Sequence, residues 1–211
     1  MNREHRPTLR LVLGDQLNPL HSWFGEVRAD VVYVLMEVRS ETDYVRHHAQ
    51  KVLGIFAAMR ALAAQLKADD HRVRHVAIDH PSNRQSITAN LDALIKHYGA
   101  GAVEYQAPDE SRLDQQLRNW AETCAVPVRM VDSEHFFTRR DEAAQMFAGK
   151  KQWLMESFYR QQRKKHGVLM MPDAKPEGGQ WNFDADNRKP WPGTPSAPAD
   201  TRPCHDHSGL W

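Results

Sequence analysis

Apolar residues follow two alternating rhythms over the first two thirds of this 211-residue chain. Short, nearly continuous apolar runs at Thr8–Leu13 (TLRLVL) and Val31–Met36 (VVYVLM) read as strands, the second as a strand buried on both faces. Val73–Ile78 and Val126–Val131 read as further strands and Ala102–Tyr105 as a weaker fifth. The clearest helical pattern is Tyr44–Leu66, where Val52, Ile55, Phe56, Met59, Leu62, Ala63 and Leu66 recur at helical spacing and share one face. Gly54 inside it costs about 1 kcal/mol against alanine, so it is expected to mark a close approach. Ser86–His97 and Asp109–Cys124 read as the next helices, the latter opened by Pro108-Asp109 with acidic residues in its first turn.

Strands alternating with helices predict βαβ units, hence an α/β fold built on a parallel sheet with right-handed crossovers. Ligands in such sheets sit beyond the carboxyl ends of the strands. That directs attention to Gly14–Gln16, Glu37–Tyr44, Asp79–Pro81, the stretch after Tyr105, and Asp132–Phe136. The rhythm breaks near residue 140. Lys151–His166 reads as a basic helix bearing Trp153, Phe158 and Tyr159, and seven of the 12 prolines lie beyond Met171. The expected organisation is an α/β domain over residues 1–150, a basic helix and linker over 151–190, and a poorly ordered tail over 191–211.

Composition narrows the function classes. The chain has 28 Lys+Arg against 27 Asp+Glu, a net charge of +1, which excludes coating of nucleic acid by bulk charge but leaves local basic patches open. No apolar run is long enough to span a membrane, and the polar start MNREHRPTLR shows no secretory signal. The two cysteines, Cys124 and Cys204, are far apart and make no disulfide framework. A cytoplasmic, reducing location and no membrane partner are expected.

Candidate chemistry lies mainly at the strand ends. Gly14-Asp15-Gln16 follows the first strand, where a glycine lets backbone approach a ligand; the alternative is a tight βα turn with a capping aspartate. Glu37, Glu41 and Tyr44 offer hydrogen bonds around an aromatic ligand; the alternative is an ordinary acidic helix start. His47 and His48 are adjacent and point about 100° apart on a helix, so they do not form a metal pair. Cys204-His205-Asp206-His207 has zinc-ligand chemistry but no second ligand cluster. There is no G-x-S-x-G elbow. Arg160–Lys165 holds four basic residues in six beside aromatic ones, which could face a nucleic-acid backbone, although a charge run by itself favours a solvated helix flank. Gly178–Arg188 (GGQWNFDADNR) alternates aromatic and polar residues behind two glycines, as an anchored loop does.

Five segments, in order, carry a resemblance: LVLGDQL at Leu11–Leu17, EVRSETDYVRHHAQK at Glu37–Lys51, FAAMR at Phe56–Arg60, MESFYRQQRKKHGVLM at Met155–Met170, and GGQWNFDADNR at Gly178–Arg188. Together they resemble the photolyase-related proteins, more specifically the iron–sulfur bacterial cryptochromes and photolyases. The resemblance implies an N-terminal antenna domain with a Rossmann-like parallel sheet of about five strands and helices on both faces, followed by a basic helix and irregular linker. It implies a light-harvesting chromophore, 6,7-dimethyl-8-ribityllumazine, at Gly14, Asp15, Gln16, Val38, Glu41, Tyr44 and Ile55. It places Lys51, Arg160, Asp184 and Arg188 on the side that faces DNA. In the family, FAD, the iron–sulfur cluster and the repair chemistry belong to a helical domain for which this sequence, ending APADTRPCHDHSGLW, leaves no room. The expectation is therefore a chain that is not repair-competent alone, binds DNA only weakly or with a catalytic domain, and self-associates through a face around Trp153, Phe158 and Trp181. Two other readings stay open: a stand-alone nucleotide or small-molecule binding protein, and an inactive truncated remnant.

Overall fold

The structure is a computed structural model that describes residues 6–188, 190–199, 201 and 208. Two compact units divide between Phe136 and Phe137, and each is described by itself. The first unit is a five-stranded sheet, all pairings parallel, in the order β3-β2-β1-β4-β5. Its strands are β1 (Thr8–Leu11), β2 (Val31–Met36), β3 (Val73–Val76), β4 (Ala102–Gln106) and β5 (Val128–Val131). Three helices accompany them: α1 (Ala49–Ala68), α2 (Ile87–Tyr98) and α3 (Ser111–Thr123).

The period-two geometry of a strand splits β2 between two cores. Val32, Val34 and Met36 join Leu9, Leu11, Val103, the α2 residues Leu91, Leu94 and Ile95, and the α3 residues Leu113 and Leu117. Val31, Tyr33 and Leu35 pack on the opposite side against Met59, Leu62, Ala63 and Leu66 of α1. All six β2 residues are buried, as the unbroken apolar run requires. The fold is therefore Rossmann-like, with helices on both faces.

The α2 and α3 core lies on one face, and on the face that carries α1 the strands β1 and β4 meet through charge. Arg10 lies opposite Glu104 in the register and donates from Nε to its Oε2 at 2.9 Å. Arg129 donates to the other carboxylate oxygen at 3.1 Å, and the Arg10 guanidinium lies 5.0 Å from the Trp23 ring centroid. Arg10 is only 8% exposed, so its pairing and its aromatic cover offset the loss of water.

Two expectations change. The long helix begins at Ala49, not Tyr44, because His48 takes an extended conformation and its Nδ1 accepts the Gln50 amide at 3.2 Å, capping the helix. Gly54 marks no close approach, since a Cβ built there meets nothing within 4 Å.

The second unit holds α4 (Glu142–Met146), α5 (Met155–His166) and α6 (Asp184–Asn187). Phe147 is its buried anchor, stacked on Trp153 at 5.5 Å between ring centroids and tilted against Phe158 at 6.3 Å. Gly167, at φ 66°, ends α5 in the left-handed conformation that glycine adopts without a Cβ penalty. Residues 190–199 form no helix or strand. The Cys204–His207 cluster lies outside the described residues.

Candidate functional site

The strand order reverses at β1: β2 and β3 extend to one side, β4 and β5 to the other. The crevice beyond the carboxyl ends of the strands at that reversal is the usual ligand seat of such a sheet. Here it holds a cavity of about 230 Å³. Its floor is apolar, formed by Leu11, Met36, Val38, Ile55, Met59 and Ile87. Its rim is polar, formed by Asp15, Glu41, Tyr44, His47, Lys51 and Glu110.

Six of the seven residues expected at a ligand, namely Gly14, Asp15, Val38, Glu41, Tyr44 and Ile55, line this cavity. Gln16 does not. It is buried, its Oε1 accepts the Leu13 amide at 3.2 Å, and its Nε2 donates to the carbonyls of Gln106 and Ala107 at 3.2 and 3.3 Å. Gln16 thus ties the end of β1 to the end of β4. Gly14 is needed for a reason other than ligand access. A Cβ there would stand 2.7 Å from Ile55 Cγ2 and 3.3 Å from Met59 Sδ, so the glycine lets α1 approach the end of β1.

Glu37 lies beneath the site rather than in it. Its side chain is 0% exposed, and burial alone would raise its pKa. Arg60 at 2.7 and 2.9 Å, His75 at 3.1 Å and the Ile78 amide at 3.0 Å outweigh burial and bring it down to about 2. Asn83 Nδ2 braces the same turn, donating to the carbonyls of Glu37 and Ala77 at 2.7 and 2.8 Å. This buried acid anchors the start of the loop that carries Val38, Glu41 and Tyr44.

The sequence reading missed Glu110 and Arg112, which stand just before and at the start of α3. Arg112 bridges Glu41 (Nη2–Oε2 2.6 Å) and Glu110 (Nε–Oε1 2.8 Å), and its guanidinium lies 4.1 Å from the Tyr44 ring centroid. Those hydrogen bonds, the one to Glu41 foremost, hold Arg112 more firmly protonated than an ordinary arginine. The only available signal was the charged run Asp109–Arg112 after a predicted strand, which also reads as a favourable helix start. Asp15 keeps an exposed edge, yet the protein packed around its carboxyl raises its pKa, and the charges of Asp109 and Glu110 add to that.

Of the two histidines, His48 caps α1, and His47 Nδ1 lies 3.3 Å from Lys51 Nζ at the cavity rim. Among the described residues there is no group of three or more metal-ligating side chains.

In the second unit, Trp181 is surrounded by cations: Arg163, Arg160 and Lys164 stand 5.2, 5.4 and 5.4 Å from its ring centroid. Arg160 also pairs with Glu156 at 2.7 Å. Trp181, Asn182, Phe183 and Asp184 line a cleft of about 550 Å³. Arg188 is exposed, while Lys51 belongs to the first unit. Of the aromatics expected on an exposed face, Trp153 is 60% exposed. Phe158 and Trp181 are partly buried, Phe158 against Phe147 and Trp181 among its cations.

The model of the deoxyribodipyrimidine photo-lyase-related protein family matches residues 10–209. The chain belongs to this family. A curated relative, the (6-4) photolyase of Agrobacterium fabrum (strain C58 / ATCC 33970), is 36% identical over 183 residues, which cover 86% of this chain and 36% of that protein. The photolyase-related chain thus spans about a third of the length of that relative. No helix among its described residues is long and apolar enough to cross a membrane.

Proposed function

We propose that this photolyase-related chain binds a lumazine-type antenna chromophore, 6,7-dimethyl-8-ribityllumazine, in the crevice at the end of β1, and gathers light for DNA photoproduct repair or photoreception. The observation that carries this reading is the cavity itself: an apolar floor for a bicyclic ring and a polar rim for a hydroxylated chain, lined by six of the residues at which the family resemblance puts the chromophore. At about 230 Å³ the cavity is smaller than the roughly 300–1,000 Å³ of drug-sized sites, so it suits the ring, and the ribityl chain runs out along the rim. Met36 and Met59 on the floor supply polarizable contacts to an aromatic ring. In this reading the described units gather light.

The test is titration of the purified chain with 6,7-dimethyl-8-ribityllumazine, followed by fluorescence anisotropy. Saturable binding that weakens in Tyr44→Ala and is lost in Ile55→Trp is expected. A cooperatively folded chain that leaves the anisotropy unchanged refutes the reading.

The cations around Trp181 favour a second, compatible role for the other unit. Arg160 and Lys164, one turn apart on α5 and both beside Trp181, suit a DNA backbone, with Lys51, Asp184 and Arg188 on the DNA side by family resemblance. Binding that falls steeply with salt, and less steeply in an Arg160→Ala, Lys164→Ala variant, is the expected result.

A further inference from the structure

The rim of the cavity is acidic, and the arginine beside it is already occupied. Asp15, Glu41 and Glu110 line the rim against one ammonium, that of Lys51. Arg112 stands behind them with each of its guanidinium nitrogens engaged. Nε and Nη2 donate to Glu110 at 2.8 and 2.9 Å, and Nη2 and Nη1 donate to Glu41 at 2.6 and 3.4 Å. The Tyr44 ring covers its face. An arginine fork is a common clamp for phosphate, but this one has no free edge to offer.

The other ordinary seat for a phosphate, the N-terminus of α1, is also partly closed. The Gln50 amide donates to His48 Nδ1, and Lys51 Nζ lies beside His47 Nδ1. Behind the rim stands a further carboxylate, Asp109, 2.8 Å from His135 Nδ1. Burial chiefly raises the pKa of Asp15, and the charges of Asp109 and Glu110 add to that while His135 opposes it.

We propose that the pocket selects by the charge of the ligand's tail: it accepts a ring carrying an uncharged polyol chain and rejects the same ring when that chain ends in a phosphomonoester. This rests on the reading above that the ring occupies the apolar floor and the tail meets the rim. The chemistry is donor against acceptor. Hydroxyl groups donate to carboxylates. A phosphate at neutral pH offers almost only acceptors and carries a charge of about −1.5 to −2, so at the rim it meets acceptors of its own sign.

The experiment titrates the full chain with 6,7-dimethyl-8-ribityllumazine and, separately, with its 5′-phosphate, in low salt and in roughly 0.5 M salt. The polyol form is expected to bind about tenfold more tightly or better in low salt, with the gap narrowing in high salt as the rim charges are screened. Asp15→Asn and Glu110→Gln are expected to narrow the gap by improving binding of the phosphate form. Equal or tighter binding of the phosphate form by the unmodified chain overturns the proposal, as does a gap that neither salt nor either variant changes. In both cases the pocket reading survives. If neither compound binds a folded chain, the pocket reading fails and the proposal fails with it.

Discussion

Replacing Glu37 by glutamine removes a fully buried carboxylate beneath the site while keeping the shape of the side chain. The fall of its pKa from 4.5 to about 2 measures how much better the folded protein holds the charged form than water does. At about 1.36 kcal/mol per pKa unit, that corresponds to roughly 3 kcal/mol, an order-of-magnitude figure in line with the 3–5 kcal/mol seen when a buried ion pair loses one partner. The amide still accepts the Ile78 amide proton, and Arg60, 32% exposed, recovers some hydration, so the loss at pH 7 should fall at or below that figure. Urea unfolding followed by circular dichroism gives the difference directly.

The sign of the pH dependence follows from the direction of the shift. A carboxylate whose folded pKa is depressed contributes its stability above its unfolded value, near 4.5, and loses that contribution as pH falls toward about 2. The gap between the natural chain and Glu37→Gln should therefore be full at pH 7 and shrink steadily between about pH 4.5 and 2. A gap below about 1 kcal/mol at pH 7, or one as large at pH 3 as at pH 7, would show that the Glu37 network does not hold the loop.

Other perturbations probe the neighbouring contacts. Gly14→Ala puts a methyl group 2.7 Å from Ile55 Cγ2, so we expect a loss of about 1–3 kcal/mol in urea unfolding and weaker lumazine binding, with partial recovery in the Gly14→Ala, Ile55→Val double variant. Arg112→Lys keeps the charge but cannot bridge Glu41 and Glu110 while covering Tyr44, so chromophore affinity should fall roughly tenfold while stability changes by less than about 1 kcal/mol; unchanged affinity by fluorescence titration counts against the bridge. Phe147→Ala removes the buried ring on which Trp153 stacks, and should cost the second unit about 3–5 kcal/mol, read from the quench and shift of tryptophan fluorescence on unfolding.

The alternation of strands and helices was legible because its physical cause is local: a strand covered on both faces needs an unbroken apolar run, and Val31–Met36 is one. Boundaries were less legible. The turn before α1 depends on one histidine ring reaching a nearby amide, which hydrophobic periodicity does not register. The strand-end rule led to Asp15, Val38, Glu41 and Tyr44, since that rule needs only the order of elements along the chain. Arg112 escaped it because a charged first turn satisfies the helix dipole whether or not it also clasps a ligand rim. Gly14 reads from the sequence as ligand access to the backbone, whereas its close neighbour is Ile55, which belongs to a helix whose position over β1 the chain order does not reveal.

Arg10 and Glu104 show what the missing information was. Each interrupts an apolar strand pattern and, read separately, each looks like an exposed position on a half-buried strand. Once β1 is placed beside β4, the register sets Arg10 opposite Glu104, and the two interruptions become one buried pair. That same adjacency makes β1 the point where the sheet reverses, and so opens the crevice beyond Leu11 in which Gly14 and Asp15 stand. A charged residue at matching depth in two otherwise apolar strands is thus evidence for their pairing, and in this chain the pairing also locates the pocket.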